Sequence, residues 1–255
     1  MKFTFLGTGT SQGVPVIGCS CEVCKSENPK DNRLRTSGML EINGQTMVFD
    51  TGPDFRQQML RAKPDNVDAV LFTHEHKDHL AGMDDIRPFN FKNKKPLDVF
   101  AHERVQVALK REFHYVFASD KYPGVPQVNL FDIHTDQPFL VGDTKVEPIE
   151  VFHYKMPVLG FRIRNFAYVT DAKTIAPEQL EKLKGLDVLV LNALRKKEHI
   201  SHFNLEQAVE LVHQLKPKRA FFTHISHFMG KHEDVSKELP KNIALAHDGL
   251  SIEVN

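Results

Sequence analysis

The stretch Thr73-His74-Glu75-His76-Lys77-Asp78-His79 constrains this chain more than any other. It brings three imidazoles and the Asp78 carboxylate within six consecutive residues. The run before it, Val67-Asp68-Ala69-Val70-Leu71-Phe72, reads as a buried strand, and Leu80-Ala81-Gly82 after it reads as the opening of a helix. The cluster therefore belongs on a strand-to-helix loop, where side chains converge on one point. His and Asp are ligands for zinc, iron or manganese. His74 and His76, two apart in extended backbone, point the same way and are placed to grip one ion. Asp78 and His79, beyond the turn, are placed to grip a second. The alternative, a polar helix start with Asp78 or a neighbour as cap, leaves four ligand types in His-x-His-x-Asp-His order without a reason.

Ligand residue types recur at the ends of other apolar runs. His153 follows Glu150-Val151-Phe152, Asp171 follows Tyr168-Val169-Thr170, and His224 follows Phe221-Phe222-Thr223. One such residue is more often structural; three of them beside the 73–79 cluster favour further ligands. A separate donor set lies near the start. Cys19-Ser20-Cys21-Glu22-Val23-Cys24 offers thiolates in C-x-C-x-x-C spacing, which suits tetrahedral zinc and leaves a fourth ligand to be found. His227, three residues after His224, would complete a Cys₃His structural zinc site. The competing reading is three reduced thiols and a solvent-facing imidazole. An odd number of cysteines packed into six residues does not suggest disulfides.

Met1 to Gly7 reads as a first strand, too short for a signal-peptide core. Gly7-Thr8-Gly9-Thr10-Ser11-Gln12-Gly13-Val14-Pro15 has the wrong glycine spacing for a dinucleotide fingerprint and reads as a tight loop, or as a rim of the metal site. Residues 38–50 form a hairpin turning at Asn43-Gly44. Helices are expected over Phe55–Ala62, from about Leu80 to a break before Pro88, and over Glu103–Phe113, Pro177–Leu183, Leu205–Leu215 and Glu233–Leu239. Strands are expected over Leu97–Ala101, Asn129–His134, Thr144–Val151, Gly160–Arg164, Phe166–Thr170, Val188–Leu191 and Arg219–Phe222, with Ile243–Ala246 and Leu250–Val254 finishing the sheet. Tyr115 to Val128 reads as loop. Asn204 with Gln207 three residues on is a capping pair for the 205–215 helix. The order suggests two similar halves packed sheet to sheet, with no linker, hence one domain over residues 1–255.

The 73–79 stretch resembles the metal-binding motif of the metallo-β-lactamase superfamily. That resemblance implies an α+β fold, an αβ/βα four-layer sandwich of two packed mixed sheets flanked by helices, with a binuclear metal site at one edge. It also implies a ligand assignment: His74, His76 and His153 at site one, Asp78, His79 and His224 at site two, and Asp171 bridging. His202, in His199-Ile200-Ser201-His202-Phe203-Asn204, resembles the proton-donating histidine of the superfamily's phosphodiesterases, including the tRNA 3′-processing enzymes. The glycine loop, the C-x-C-x-x-C set, the 73–79 motif, Thr170-Asp171, the His202 segment and Thr223-His224-Ile225-Ser226-His227 together resemble one branch, the phosphoribosyl 1,2-cyclic phosphate phosphodiesterases of the carbon–phosphorus lyase pathway. The resemblance runs from residue 3 to about residue 250.

The expected activity is thus a phosphoric diester hydrolase acting on a small, cyclic phosphodiester. Its expected cofactors are two catalytic divalent ions, Zn²⁺ or Mn²⁺, and one structural Zn²⁺. Ions about 3.5–4 Å apart neutralise the diester's charge and generate a hydroxide nucleophile. His202 is the expected acid, with Asp78 orienting it or the nucleophile; Glu75 and Lys77 carry no expected chemistry. Lys+Arg and Asp+Glu both number 33, so nothing marks a polyanion-binding surface and nucleic acid is not an expected partner. No run is long enough to cross a bilayer, which excludes the membrane and implies the cytoplasm; a homodimer remains open. A class B β-lactamase would carry a leader and a site-two cysteine, and a glyoxalase II-like thioesterase lacks the cysteine trio and the His202 segment. A metal-binding scaffold would miss a ligand, and a redox di-iron protein would want a carboxylate in place of His79. The runner-up, a tRNA 3′-endonuclease, shares His202 but needs a protruding glycine-rich arm that the sequence lacks.

Overall fold

Val188 and Val190 point to one side of their strand, Leu189 and Leu191 to the other, and all four are buried. A strand apolar on both faces needs a packed layer on each. The computed structural model, which describes all residues from Met1 to Asn255, supplies both layers. The first sheet takes β1 (Lys2–Gly7), β2 (Ser37–Ile42), β3 (Gln45–Phe49), β4 (Ala69–Leu71), β5 (Leu97–Ala101) and β6 (Val128–Asp132) in spatial order. The second takes β7 (Phe139–Val141), β8 (Thr144–His153), β9 (Met156–Ile163), β10 (Phe166–Val169), β11 (Val188–Asn192), β12 (Arg219–Thr223) and β13 (Ile243–Leu245), again in order. The last strand, β14 (Ser251–Glu253), crosses back to pair antiparallel with β1.

Phe3, Phe49, Phe161, Phe166 and Tyr168 fill the space between the sheets, with Phe3 and Phe166 ring centroids 4.7 Å apart and Phe49 and Tyr168 4.9 Å apart. Helices α1 (Phe55–Ala62), α2 (Lys77–Leu80), α3 (Arg87–Asn93), α4 (Glu103–Glu112) and α5 (His114–Phe117) follow strands of the first sheet. Phe55, Leu80, Val105 and Leu109 pack on its outer face. Helices α6 (Pro177–Glu181), α7 (Leu205–Leu215) and α8 (His232–Glu238) accompany the second sheet, where Ala208, Leu211, Val212 and Val235 cover its outer face. The result is the expected four-layer α+β sandwich.

Three sequence expectations need correction, and one strand was not expected. Pro88 does not end a helix; it sits in the first turn of α3, where its missing N–H has no partner to lose. The two terminal strands do not finish one sheet: β13 extends the second and β14 the first, because the chain has to close the open side of β1. The 115–128 loop opens with the helical turn α5. The short hairpin strand β7 gave no period long enough to read. By contrast, α7 has the expected bounds, and its capping box joins Asn204 and Gln207 reciprocally.

Within each sheet the consecutive strands β3–β4–β5–β6 and β10–β11–β12–β13 run parallel. Their carboxyl ends open on one edge of the sandwich, which is where ligand sites of such sheets form.

Candidate metal centre

Three strand ends deliver their last residue through a left-handed turn. Asp50, Asp171 and His224, just past β3, β10 and β12, have φ of 62°, 59° and 57°. Such backbone costs on the order of 1–3 kcal/mol, least for Asp, Asn and His, and it turns each side chain across the sheet edge. His74 and His76 come from the extended segment after β4, Asp78 and His79 from α2, and His153 from the end of β8. Gly52 lets that helix approach: a Cβ there would lie 2.1 Å from the Asp78 carbonyl oxygen.

The donor atoms form two groups. His74 Nε2 lies 3.1 Å from His76 Nδ1 and 3.7 Å from Asp171 Oδ2. His79 Nε2 lies 3.2 Å from Asp78 Oδ2 and 3.5 Å from Asp171 Oδ1, while His224 Nε2 lies 3.7 and 3.3 Å from the same two oxygens. Donors 2.0–2.2 Å from one ion sit about 3.0–3.6 Å apart around it, so both groups have ligand spacing. The two oxygens of Asp171 divide between them. His153 stands beside the first group, its ring centroid 5.2 Å from that of His76, and its donor atoms cluster with those of Asp171 and His202. The buried Nε2 atoms of His79 and His224 have no hydrogen-bond partner within the protein, an orphaning that a coordinated ion would relieve. The residues present therefore fit divalent metal ions.

A further layer orients these rings, and it was not anticipated from the sequence. The buried Asp50 accepts from His79 Nδ1 at 2.7 Å and from the Thr73 amide and hydroxyl, each at 2.8 Å. The Thr73 hydroxyl in turn accepts from His74 Nδ1 at 2.9 Å. His153 Nδ1 donates to the Ser201 carbonyl at 2.9 Å. Each bond fixes the N–H on Nδ1 and leaves Nε2 free to coordinate. Asp50 carried the same signal as the other candidates, an acid just past an apolar strand.

Burial and the neighbouring His79 hold His74 well below the usual imidazole range; burial and His153 lower His76. For His79, burial opposes the charge, but Asp78, Asp171 and Asp50 outweigh it and the net shift is upward. Burial also opposes ionisation of Asp171 and Asp78, yet the surrounding imidazoles, His224 and His79 foremost, lower both. Buried carboxylates converging on imidazoles make a centre suited to cations.

His202 stands beside the donors, with ring centroids 4.5 Å from His153 and 4.7 Å from His224. Burial first, then His224, push it down to about 2, so it is a neutral imidazole before any anion arrives. Asp78 Oδ2 is engaged with His79 and His224. Glu75 pairs with Arg104 and Lys77 with Glu112, outside the donor groups.

The second cluster is assembled across the whole chain. His227 Nδ1 lies 3.3, 3.4 and 3.4 Å from the Sγ atoms of Cys19, Cys21 and Cys24. Tetrahedral zinc with sulfur at about 2.3 Å and nitrogen at about 2.0 Å would separate these atoms by about 3.5 Å. The Cys24 amide brings the Cys21 thiol down to about 6 against the opposing effect of burial, whereas burial raises Cys24 to about 11. The glycine loop closes the gap between the clusters: Gly9 bridges both Arg35 and Ile225, next to His224.

A sequence profile of the β-lactamase superfamily domain matches residues 45–225. A crystal structure of a diphosphatase from the PhnP family superposes with a TM-score of 0.92 at 40% identity, covering 98% of this chain and 96% of that one. An octanoyltransferase of Porphyromonas gingivalis is 42% identical over 98% of this chain but 51% of its own length. A ribonuclease Z of Methanocaldococcus jannaschii is 25% identical over 77% of this chain and 55% of its own. The chain thus spans about half the length of these two relatives. No helix is long and apolar enough to cross a membrane. The profile match, the two-sheet sandwich and the PhnP-family neighbour agree: the chain belongs to the metallo-β-lactamase superfamily of hydrolases, in its PhnP-like branch.

Proposed function

We propose that this protein is a metal-dependent phosphodiesterase acting on a small phosphodiester, of the kind exemplified by phosphoribosyl 1,2-cyclic phosphate. The observation that carries this reading is Asp171, whose two oxygens face different donor groups, Oδ2 towards His74 and Oδ1 towards His79 and His224. That arrangement supports a binuclear centre, with His74, His76 and His153 holding one ion, Asp78, His79 and His224 the other. When bound, the ion pair supplies charge neutralisation for the diester's oxygens and acidifies the attacking water.

The chain's own residues do the rest. Asp50 and Thr73 hold His74 and His79 in one tautomer and register. One P–O bond forms to the water oxygen, the P–O bond to the leaving group breaks, and the departing oxygen takes a proton. His202 is placed to give it: its neutral ring gains a proton when an anionic diester enters, and the attacking water returns one afterwards. The cysteine cluster with His227 is read as a structural zinc clamp holding the His224 segment. The PhnP-family neighbour, described as a diphosphatase, supports phosphorus–oxygen chemistry. A tRNA 3′-processing reading is favoured by the His202 segment and the ribonuclease Z relative. The name of the octanoyltransferase describes a protein about half of which lies outside the match.

The test is a kinetic screen of the Mn²⁺- or Zn²⁺-loaded protein against cyclic, linear and polymeric phosphodiesters. Turnover of small diesters with little on RNA supports the proposal. Preference for tRNA precursors selects the second reading, and no turnover of any diester rejects both.

A further inference from the structure

Tyr154 occupies a position where its side chain is costly. It is the first residue of the two-residue turn between β8 and β9, directly after His153, and its φ is 58°. That corner of a tight hairpin favours Gly or Asn, because a bulky residue at positive φ is strained. Tyr154 is also 53% exposed, so core packing does not explain it. Ile200, two residues before His202, is 66% exposed.

Tyr154 and Ile200 both line a wide-open surface depression that also takes in His76 and His153. Lys155 and Arg104 stand at its rim; Lys155 Nζ lies 5.4 Å from the Tyr154 ring centroid, and Arg104 is braced by Glu75. Two exposed apolar side chains in one depression beside the donor groups are wasted on a bare sugar phosphate, which has no flat apolar surface to offer them. A planar ring laid on the Tyr154 face would give these side chains an apolar partner, and the neighbouring cations suit additional negative charge on the same molecule.

We infer that Tyr154 and Ile200 form a subsite for a planar nucleobase-like ring, so that the preferred substrate is a nucleotide-bearing phosphodiester. This rests on the phosphodiesterase reading for the reaction, but the subsite is tested separately by binding. Stacking a base on an aromatic side chain strengthens affinity by roughly 10- to 100-fold.

The experiment is calorimetric titration of the Mn²⁺-loaded protein with adenosine 5′-monophosphate and with ribose 5-phosphate, which differ only by the base. The wild type is expected to bind the nucleotide at least tenfold tighter. Tyr154→Asn, whose new residue tolerates positive φ, should cut that ratio at least fivefold, Ile200→Ser should cut it less, and Tyr154→Phe should keep it. Thermal melts check that each variant is folded. Equal affinities in the wild type, no nucleotide binding at millimolar concentration, or a ratio untouched by Tyr154→Asn overturns the inference. Hydrolysis of methyl 4-nitrophenyl phosphate is measured in parallel: a ring preference without diester turnover leaves the subsite standing and rejects the reaction.

Discussion

The His/Asp centre and the cysteine cluster are two donor sets built on different plans. The first has a buried base, with His74, His79, Asp171 and His224 0–2% exposed, while His76, Asp78 and His153 lie nearer the solvent. Its rings are held from behind by Asp50, Thr73 and the Ser201 carbonyl. Its donors fall into overlapping groups that share Asp171, one of them including His202, and an open depression lies beside His76 and His153. In the second, Cys21 is exposed and the other donors are half-buried, and four atoms converge on one point. Its support is two long contacts, from the Val16 amide to Cys24 Sγ and from the Cys24 amide to Cys21 Sγ. A centre that must bind, react and release needs oriented ligands and an open side. A clamp needs only four donors pointing inward.

The largest effect that would break this contrast is expected at Asp171. Asp171→Ala should lower phosphodiesterase kcat/KM by at least ~10³-fold, beyond the ~10–100-fold typical of outer-layer partners, while the thiols stay protected from a thiol reagent. Thiols that become reactive in this variant would show that the two clusters are not separable. Next comes His202→Ala. Loss of an acid should cost roughly 10²–10⁴-fold with an alkyl leaving group and far less with nitrophenolate, with metal content unchanged. Equal losses on both substrates, or lost metal, would make His202 a ligand, which its grouping with His153 and Asp171 also permits geometrically.

Much of this was legible because the fold repeats a simple rule. A ligand residue just past an apolar strand marked His74, His153, Asp171 and His224, and the parallel strand ends put them on one edge. The layered cores followed from alternating runs such as Val188–Leu191. What escaped depended on three-dimensional approach. Asp50 obeys the same rule but reads as structure until His79 Nδ1 is found 2.7 Å away. Pro88 looks like a helix end until the chain is seen to start α3 there. The destination of β14 is set by the open edge of β1, which no local pattern records.

That hidden layer gives the next prediction. Asp50→Asn keeps the shape but weakens the acceptor, and should reduce metal affinity of the His/Asp centre about 10–100-fold in competition with a chelator. Cys21→Ser should act on stability first, lowering Tm by on the order of 5 °C while changing kcat by less than about tenfold, if the clamp only holds the His224 segment. The smallest effect concerns the seam behind the clamp, where the buried Arg33 donates to His232 Nδ1 at 3.1 Å. Burial and then Arg33 push His232 down to about 4, against about 6.5 unfolded. The unfolded chain therefore takes the proton first: the stability is present above pH 6.5 and is lost as pH falls towards 4. Between those values the wild type should lose on the order of 2–4 °C more in Tm than His232→Gln, as measured by calorimetry across the pH range.

The central claim is that one chain holds two kinds of metal site, and native mass spectrometry tests it most directly. The zinc-reconstituted protein should carry three ions per chain. A mild chelator should remove two together with activity, leaving a folded one-ion form whose last zinc is released only when the thiols are titrated. A single ion in total, or loss of all ions in one step with unfolding, would contradict the account.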